Sequence, residues 1–327
     1  MGERAGAPFS GSRRALLAAV PAAAAGWLCA CSVGPDFPSG PLRIASGGEG
    51  GVYYAYAHGI ANVVHAALPR LRPVVLATAA SVENLRLVSA DVSAVGFATA
   101  DVAADAYRGA APFAASLPVL ALARIYENYL HLAVRRDLAM AGLAQLRGRR
   151  VSIGPVGSAT EVVATRVLSL AGMDPARDLR ADGLDPDAAA QAVATGTLDA
   201  MFFSGGVPTA AIVGLCARVP ISLVDLSGYL PSLRQRYGEV YFERTIPASA
   251  YGLGTPTATI GVPNFLVVDR SLNERLAYGL VKALFEHRDL LAAAHPEGQR
   301  LDRGAAIATD PLPLHPGAVR YYRETKN

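Results

Sequence analysis

Four glycines surround one glutamate in the segment Gly47-Gly48-Glu49-Gly50-Gly51. A strand-like run precedes this segment, and a helix-like run that begins at Val52 follows it. The peptide N–H groups of such a turn are unshielded, and the first turn of the following helix has unpaired N–H donors and a partial positive charge. The pattern therefore predicts a site for a carboxylate or a phosphate. A tight connection without a ligand is the alternative interpretation.

Three later loops have the same pattern of a strand end, a short loop and a helix start. The first of them, residues 77–85, contains Thr78 and Ser81, whose hydroxyl groups suit either a helix N-cap or a ligand carboxylate. The last, residues 203–208, again has bare glycines after a strand. Repetition of the pattern favours the ligand interpretation over the simple connection.

The remaining loop, residues 154–161, resembles a phosphate loop in its glycines. No lysine follows its second glycine, so a triphosphate site is not expected, and Ser158 and Thr160 at the helix start suit a smaller anion. The four loops come in pairs from two halves of the chain. We expect them to converge on one cleft.

The sequence predicts a binding protein and not an enzyme. It has no Gly-x-Ser-x-Gly elbow, and Tyr53 stands where a dinucleotide fingerprint needs its third glycine. The six histidines are scattered, without a carboxylate or thiolate partner at metal-ligand spacing. We therefore expect no catalytic residue, no metal and no cofactor. The formal net charge of +3 does not indicate a nucleic-acid partner.

The N-terminus has the features of an export signal. Arginines precede an apolar, alanine-rich stretch, which predicts a signal peptide over residues 1–30. Leu28-Cys29-Ala30-Cys31 resembles a bacterial lipobox, which makes Cys31 the expected site of lipidation. Arg13-Arg14 also resembles a twin-arginine motif, so the export route stays open. Residues 31–41 are rich in proline and glycine and are expected to be a flexible tether.

Aliphatic runs alternate with helical patterns from residue 42 onward, which predicts an α/β fold with parallel-rich sheets flanked by helices. Strand candidates lie at 119–123, 130–134, 257–262 and 265–268, and two crossings between lobes are expected, the first at residues 124–129 and the second at residues 265–271. The first lobe is expected to comprise residues 42–126 and 270–327. The second lobe is expected to comprise residues 127–269. Two lobes joined by two crossings predict a hinged, two-lobed fold of the periplasmic-binding-protein type (type II).

Together, these segments resemble the TAXI family, the solute-binding subunits of tripartite ATP-independent periplasmic (TRAP) transporters. The resemblance rests on residues 47–54, 77–85, 96–106, 146–158, 199–208 and the tail at 313–324, which contains His-Pro-Gly-Ala. It implies a lipoprotein on the outer face of the cell membrane that captures a glutamate-like or dicarboxylate-like solute. TRAP membrane subunits on other chains would be its partners. The implied ligand contacts are Gly48, Glu49, Gly51, Val52, Tyr54, Thr78, Ser81, Thr99, Asp101, Ser158, Thr160, Ser204, Gly205 and Gly206.

Four positions depart from the pattern of that family. Glu49 stands where a small hydroxyl residue is usual, Val52 replaces a threonine, and Ala79 and Ala80 replace glycines. A carboxylate at Glu49 would repel a dicarboxylate and attract an ammonium group. The ligand is therefore a small organic acid or an amino acid, and its identity stays open.

Three other functions remain as alternatives. The protein could sense a ligand outside the cytoplasm and signal to a partner kinase, or it could serve a transporter of the ABC type. A secreted two-lobed hydrolase is a third alternative, which the missing nucleophile and base disfavour. The neighbouring genes would separate the first two from a TRAP subunit.

Overall fold

One mixed sheet of ten strands organises the computed structural model, which describes residues 37–140 and 142–326. The strands are β1 (Gly40–Ala45), β2 (Leu71–Leu76), β3 (Ala94–Thr99), β4 (Val119–Arg135), β5 (Arg150–Ser152), β6 (Arg180–Asp182), β7 (Ala200–Gly205), β8 (Ile221–Leu223), β9 (Phe242–Ile246) and β10 (Thr257–Asp269). Their order across the sheet is β2-β1-β3-β10-β4-β7-β5-β6, with β8 beside β4 and β9 beside β10.

Helices follow most strands, as the alternating pattern predicts. They are α1 (Val52–Ala67), α2 (Ser81–Ala90), α3 (Ala100–Arg108), α4 (Ala159–Leu170), α5 (Pro175–Asp178), α6 (Pro186–Ala194), α7 (Ala210–Arg218), α8 (Leu230–Tyr237), α9 (Ala248–Tyr251), α10 (Glu274–Glu286), α11 (Arg288–Ala294), α12 (Arg303–Ala306) and α13 (Pro316–Glu324). Short 3₁₀ turns occur at Arg136–Leu138, Leu143–Leu146, Ser227–Tyr229 and Pro296–Arg300. Among the described residues, no helix is both long enough and apolar enough to span a bilayer.

The sheet is parallel toward its two ends and antiparallel in its middle. β1 pairs in parallel with β2 and β3, and β5 pairs in parallel with β6 and β7. Every antiparallel pair among the described strands involves β4 or β10. The expected parallel pairs are therefore present, and two long antiparallel strands connect them.

β4 and β10 are each one continuous strand, which corrects the expectation of separate strands at 119–123 and 130–134 and at 257–262 and 265–268. The break is absent because β4 and β10 remain paired through the crossing, with Asn128 opposite Val262 and Glu127 opposite Pro263. The register shifts between Pro263 and Phe265. Such a bulge accommodates a proline, which has no N–H to donate to the ladder.

Separate hydrophobic cores support the two predicted lobes. One core packs α1 and α10 around the β1 strand. Another packs α6 and α7 against β7. A third core contains residues of both predicted lobes, from α2 and α3 to α4 and α8. The boundaries at 126/127 and 269/270 lie in or at the end of β4 and β10 and stay a prediction.

The N-terminal boundary of the globular part lies earlier than predicted. Phe37 packs against the core around α1 and α10, and its ring approaches the α10 residue Gly279. β1 starts at Gly40, inside the predicted tether of residues 31–41, because Gly40 pairs with Leu71. The described residues from Phe37 onward belong to one compact unit. The predicted signal peptide at 1–30 and Cys31 lie outside the described residues.

The His-Pro-Gly-Ala tail joins α13 to α10. His315 is buried and caps α13, because its Nδ1 accepts the N–H of Gly317 at 3.2 Å. Its Nε2 lies 3.0 Å from the carbonyl oxygen of Leu272, so the neutral ring donates there. Burial lowers the pKa of His315, in agreement with a neutral ring. A Cβ on Gly317 would overlap the carbonyl oxygen of Glu274.

We expect Gly317→Ala to lower the free energy of unfolding by about 1–3 kcal/mol, because backbone atoms of α10 must move to admit the methyl group. Gly214→Ala is the matched control, since Gly214 is also helical and a Cβ there would meet nothing within 4 Å. Gly214→Ala should raise stability by up to about 1 kcal/mol. Urea denaturation measures both effects. Equal stability of the two variants would contradict the close packing at Gly317.

Candidate functional site

One cleft collects parts of all four predicted loops. It has an empty volume of about 610 Å³, which includes its opening to solvent. Residues of both predicted lobes form its wall. They are Gly47, Gly48, Gly51, Val52, Tyr53, Thr78, Ala79, Ala80, Tyr126, Asn128, Pro155, Ser158, Ala159, Thr160, Asp185, Pro186, Phe203, Ser204 and Gly205.

Four helices begin at this cleft. The starts of α1 and α2 belong to the first lobe, and the starts of α4 and α6 belong to the second. Each helix start presents N–H groups that lack acceptors within the helix, together with a partial positive charge. No arginine, lysine or histidine is among the described residues of the wall. Within the described wall, backbone dipoles are therefore the source of any positive potential, and helix starts of this kind suit a small anion.

Hydroxyl groups of the second lobe lie beside these helix starts. Ser158 caps α4, since its Oγ accepts the N–H of Glu161 at 3.1 Å. Thr160 Oγ1 accepts the N–H of Ser204 at 3.1 Å. The Oγ of Ser204 is buried and has no hydrogen-bond partner among the described residues. Because a buried hydroxyl without a partner is costly, Ser204 is available to a ligand.

A chain of buried side chains connects the two lobes behind the cleft. The Tyr53 hydroxyl donates to Asn264 Oδ1, and Asn264 Nδ2 donates to Asn128 Oδ1 at 2.9 Å. Asn128 Nδ2 donates to the carbonyl oxygen of Ser204 at 3.2 Å. Burial raises the pKa of Tyr53 far above its usual range, so the hydroxyl stays protonated. The chain links the α1 helix to β7 through both crossing strands.

The wall contains eight of the fourteen predicted ligand contacts, namely Gly48, Gly51, Val52, Thr78, Ser158, Thr160, Ser204 and Gly205. Thr78 already has protein partners, because its Oγ1 accepts the N–H of Ala80 at 3.0 Å and lies 2.6 Å from Asn84 Oδ1. Its hydroxyl therefore shapes the loop. The proposed ligand contacts stay predictions for all fourteen residues.

The structure places six predicted contacts outside the wall, namely Glu49, Tyr54, Ser81, Thr99, Asp101 and Gly206. Glu49 is exposed, and Tyr54 packs edge-on against His58 at a centroid distance of 4.7 Å. Ser81 is buried and accepts the N–H of Thr99 at 3.2 Å. Tyr53 replaces Tyr54 in the wall because the buried face of α1 contains Tyr53 and Tyr56.

Comparison with known proteins identifies the family. The sequence pattern described as the NMT1-like family matches residues 44–325. The chain belongs to the NMT1-like family. This match does not separate the TAXI group from the rest of the family, so that resemblance stays a prediction.

Solved structures show that this NMT1-like chain has the fold of periplasmic binding proteins, which confirms the predicted fold class. MatC from Rhodopseudomonas palustris, solved with bound malate, is 15% identical with a TM-score of 0.53, and the match covers 88% of this chain and 97% of MatC. The periplasmic binding protein BugD is 13% identical with a TM-score of 0.51, and the match covers 88% of this chain and 94% of BugD.

Asp101 belongs to a buried ion-pair cluster in this NMT1-like protein. Arg166 Nη1 lies 3.4 Å from Asp101 Oδ2, and the hydroxyl of Tyr241 donates to the same oxygen at 3.0 Å. Arg166 also pairs with Asp105, whose pKa burial raises to about 6 although the guanidinium opposes this shift. Because α3 and α4 belong to different predicted lobes, the cluster connects the lobes through residues outside the cleft wall.

Ala80 has an unusual backbone at the N-cap of α2. Its φ of 74° and ψ of −140° are typical of glycine and strained for other residues. Two hydrogen bonds fix this conformation: the Ala80 N–H donates to Thr78 Oγ1, and its carbonyl oxygen accepts the N–H of Asn84 at 2.9 Å. The geometry explains why a glycine is usual here in the family that the sequence resembles.

We expect Ala80→Gly to stabilise the protein by about 1 kcal/mol, because relief of about 1–3 kcal/mol of strain exceeds the added entropy of the unfolded chain. Ala79→Gly is the matched control, since Ala79 also lines the cleft but does not have a positive φ. It should lower stability by up to about 1 kcal/mol. Thermal and urea unfolding measure both variants. A loss of stability in Ala80→Gly would show that the backbone there is unstrained.

Proposed function

We propose that this protein is an extracytoplasmic solute-binding protein that captures a small organic acid or amino acid of glutamate-like or dicarboxylate-like character. The observation that carries this proposal is the convergence of four helix starts on one cleft whose wall has no cationic side chain among the described residues. MatC, which shares the fold, was solved with malate, a small dicarboxylate. A carboxylate in this cleft would accept hydrogen bonds from N–H groups at the helix starts that lack an acceptor within their helix.

Binding is proposed to close the two lobes around the solute. The helix starts belong to both lobes, so one small molecule contacts all four only when the lobes approach each other. Hydrogen bonds from Tyr53 to Asn264 and from Asn264 to Asn128 keep the two crossing strands aligned beside the cleft during this motion. The result is capture and release without chemistry on the solute.

The transport role is the finer part of the proposal. The protein delivers its solute to membrane subunits of the TRAP type, as the TAXI resemblance implies. It is exported and anchored to the outer face of the cell membrane through lipid on Cys31. Anchoring keeps the binding protein near the membrane subunits that receive the solute.

The first test measures binding and closure with residues 36–327. Dicarboxylates and amino acids should raise the melting temperature, whereas the corresponding amides, which lack the carboxylate, should not, because the helix starts favour an anion. At saturation with a stabilising acid, small-angle scattering should show a smaller radius of gyration. Stabilisation by acid and amide alike would contradict the anion site, and stabilisation without compaction would contradict closure.

The second test concerns the anchor. We expect Cys31→Ser in the full chain to be exported but absent from the detergent-extracted membrane fraction, because two acyl chains supply the anchoring. Cys216→Ser is the matched control, since Cys216 lies on α7 within the second lobe and should leave membrane association unchanged. Retention of Cys31→Ser on membranes after a high-salt wash would refute lipidation at this residue.

A further inference from the structure

Asp185 is the only charged residue in the described wall of the cleft. It occupies the N-cap of α6, but its side chain makes no capping hydrogen bond. Its Oδ1 instead lies 3.2 Å from the position that a Cβ on Gly48 would occupy. The carboxylate of the second lobe therefore faces the glycine loop of the first lobe, and a Cβ at position 48 would be in tight contact with it.

The carboxylate of Asp185 has no hydrogen-bond or ion-pair partner among the described residues, and it remains exposed at the cleft. Four helix starts around it favour negative charge, while Asp185 itself repels it. A purely anionic ligand would have to place its charge beside this carboxylate. A ligand with both a carboxylate and an ammonium group would satisfy both parts of the wall.

We propose that Asp185 determines specificity by binding a protonated amine of the solute. This inference rests on the proposed binding function and narrows its ligand class to amino acids. In the bound state the carboxylate of the amino acid accepts from the helix starts, and its ammonium group donates to Asp185. The keto acid of the same skeleton lacks that ammonium group and leaves the Asp185 carboxylate unpaired beside an anion.

Two neighbouring acids do not share this position. Glu49 is exposed and outside the wall, although the sequence made it the candidate for this role. Asp187 lies in the first turn of the same helix as Asp185, is exposed, and faces Gly50 outside the wall. Asp187→Asn therefore removes the same charge from the same helix end without changing the wall, and it serves as the matched control.

The test measures affinities of residues 36–327 by calorimetry for the twenty amino acids and, for each that binds, its matching 2-keto acid. The wild type should prefer the amino acid by at least about tenfold. Asp185→Asn should reduce this ratio to within about threefold, and Asp187→Asn should leave it unchanged. Asparagine is an equally good N-cap, so Asp185→Asn should keep the wild-type melting temperature.

An unchanged ratio in Asp185→Asn, or a wild type that prefers keto acids, would overturn the role of Asp185 while the proposed binding function stands. Failure of all twenty amino acids to bind would overturn the ligand class. Mass spectrometry of the small molecules released from denatured, purified protein then separates the two proposals. If the released molecule is an organic acid without an amine, solute binding is supported and the amino-acid class is rejected. If no organic acid is released and no tested acid binds, both proposals are rejected.

Discussion

The antiparallel pairing between β4 and β10 determines where the other strands and the helix starts at the cleft lie. These strands cross from one predicted lobe to the other, and Asn128 lies opposite Val262 in the ladder between them. Asn128 and Asn264 on these strands are buried, and hydrogen bonds link them to Tyr53 on α1 and to the carbonyl oxygen of Ser204 on β7. Because an unpaired polar group there would be costly, the register that brings the four helix starts to one cleft is strongly specified.

Backbone and side chains contribute differently to the recognition that we propose. The positive potential arises from helix starts, which no single side-chain substitution removes. Selection among anions of similar size must then come from the few polar side chains of the wall. Among the described residues, the buried hydroxyl of Ser204 has no hydrogen-bond partner, and neither has the carboxylate of Asp185. The glycines at the cleft, above all Gly48, allow the two lobes to approach closely enough for both to contact one solute.

Local patterns in the sequence predicted much of this structure. The helix α1 begins at Val52, as predicted, and the four loops were recognised because a strand end and a helix start lie close together in the chain. Asn128 and Asn264 were missed because their contact depends on a pairing between strands 136 residues apart. Asp185 was missed because an aspartate before Pro186 is typical of an ordinary helix start, and only the fold shows that its side chain faces Gly48.

Hydrogen exchange with and without a saturating, stabilising acid tests most directly whether one solute binds at helix starts from both lobes. We expect slower exchange in four segments together, residues 50–55, 79–84, 157–162 and 184–189, because the solute and lobe closure protect their N–H groups. Exchange in α13, which packs on α10 away from the wall, should not change. Protection confined to the segments of one lobe, with the solute bound, would contradict a site shared between the lobes.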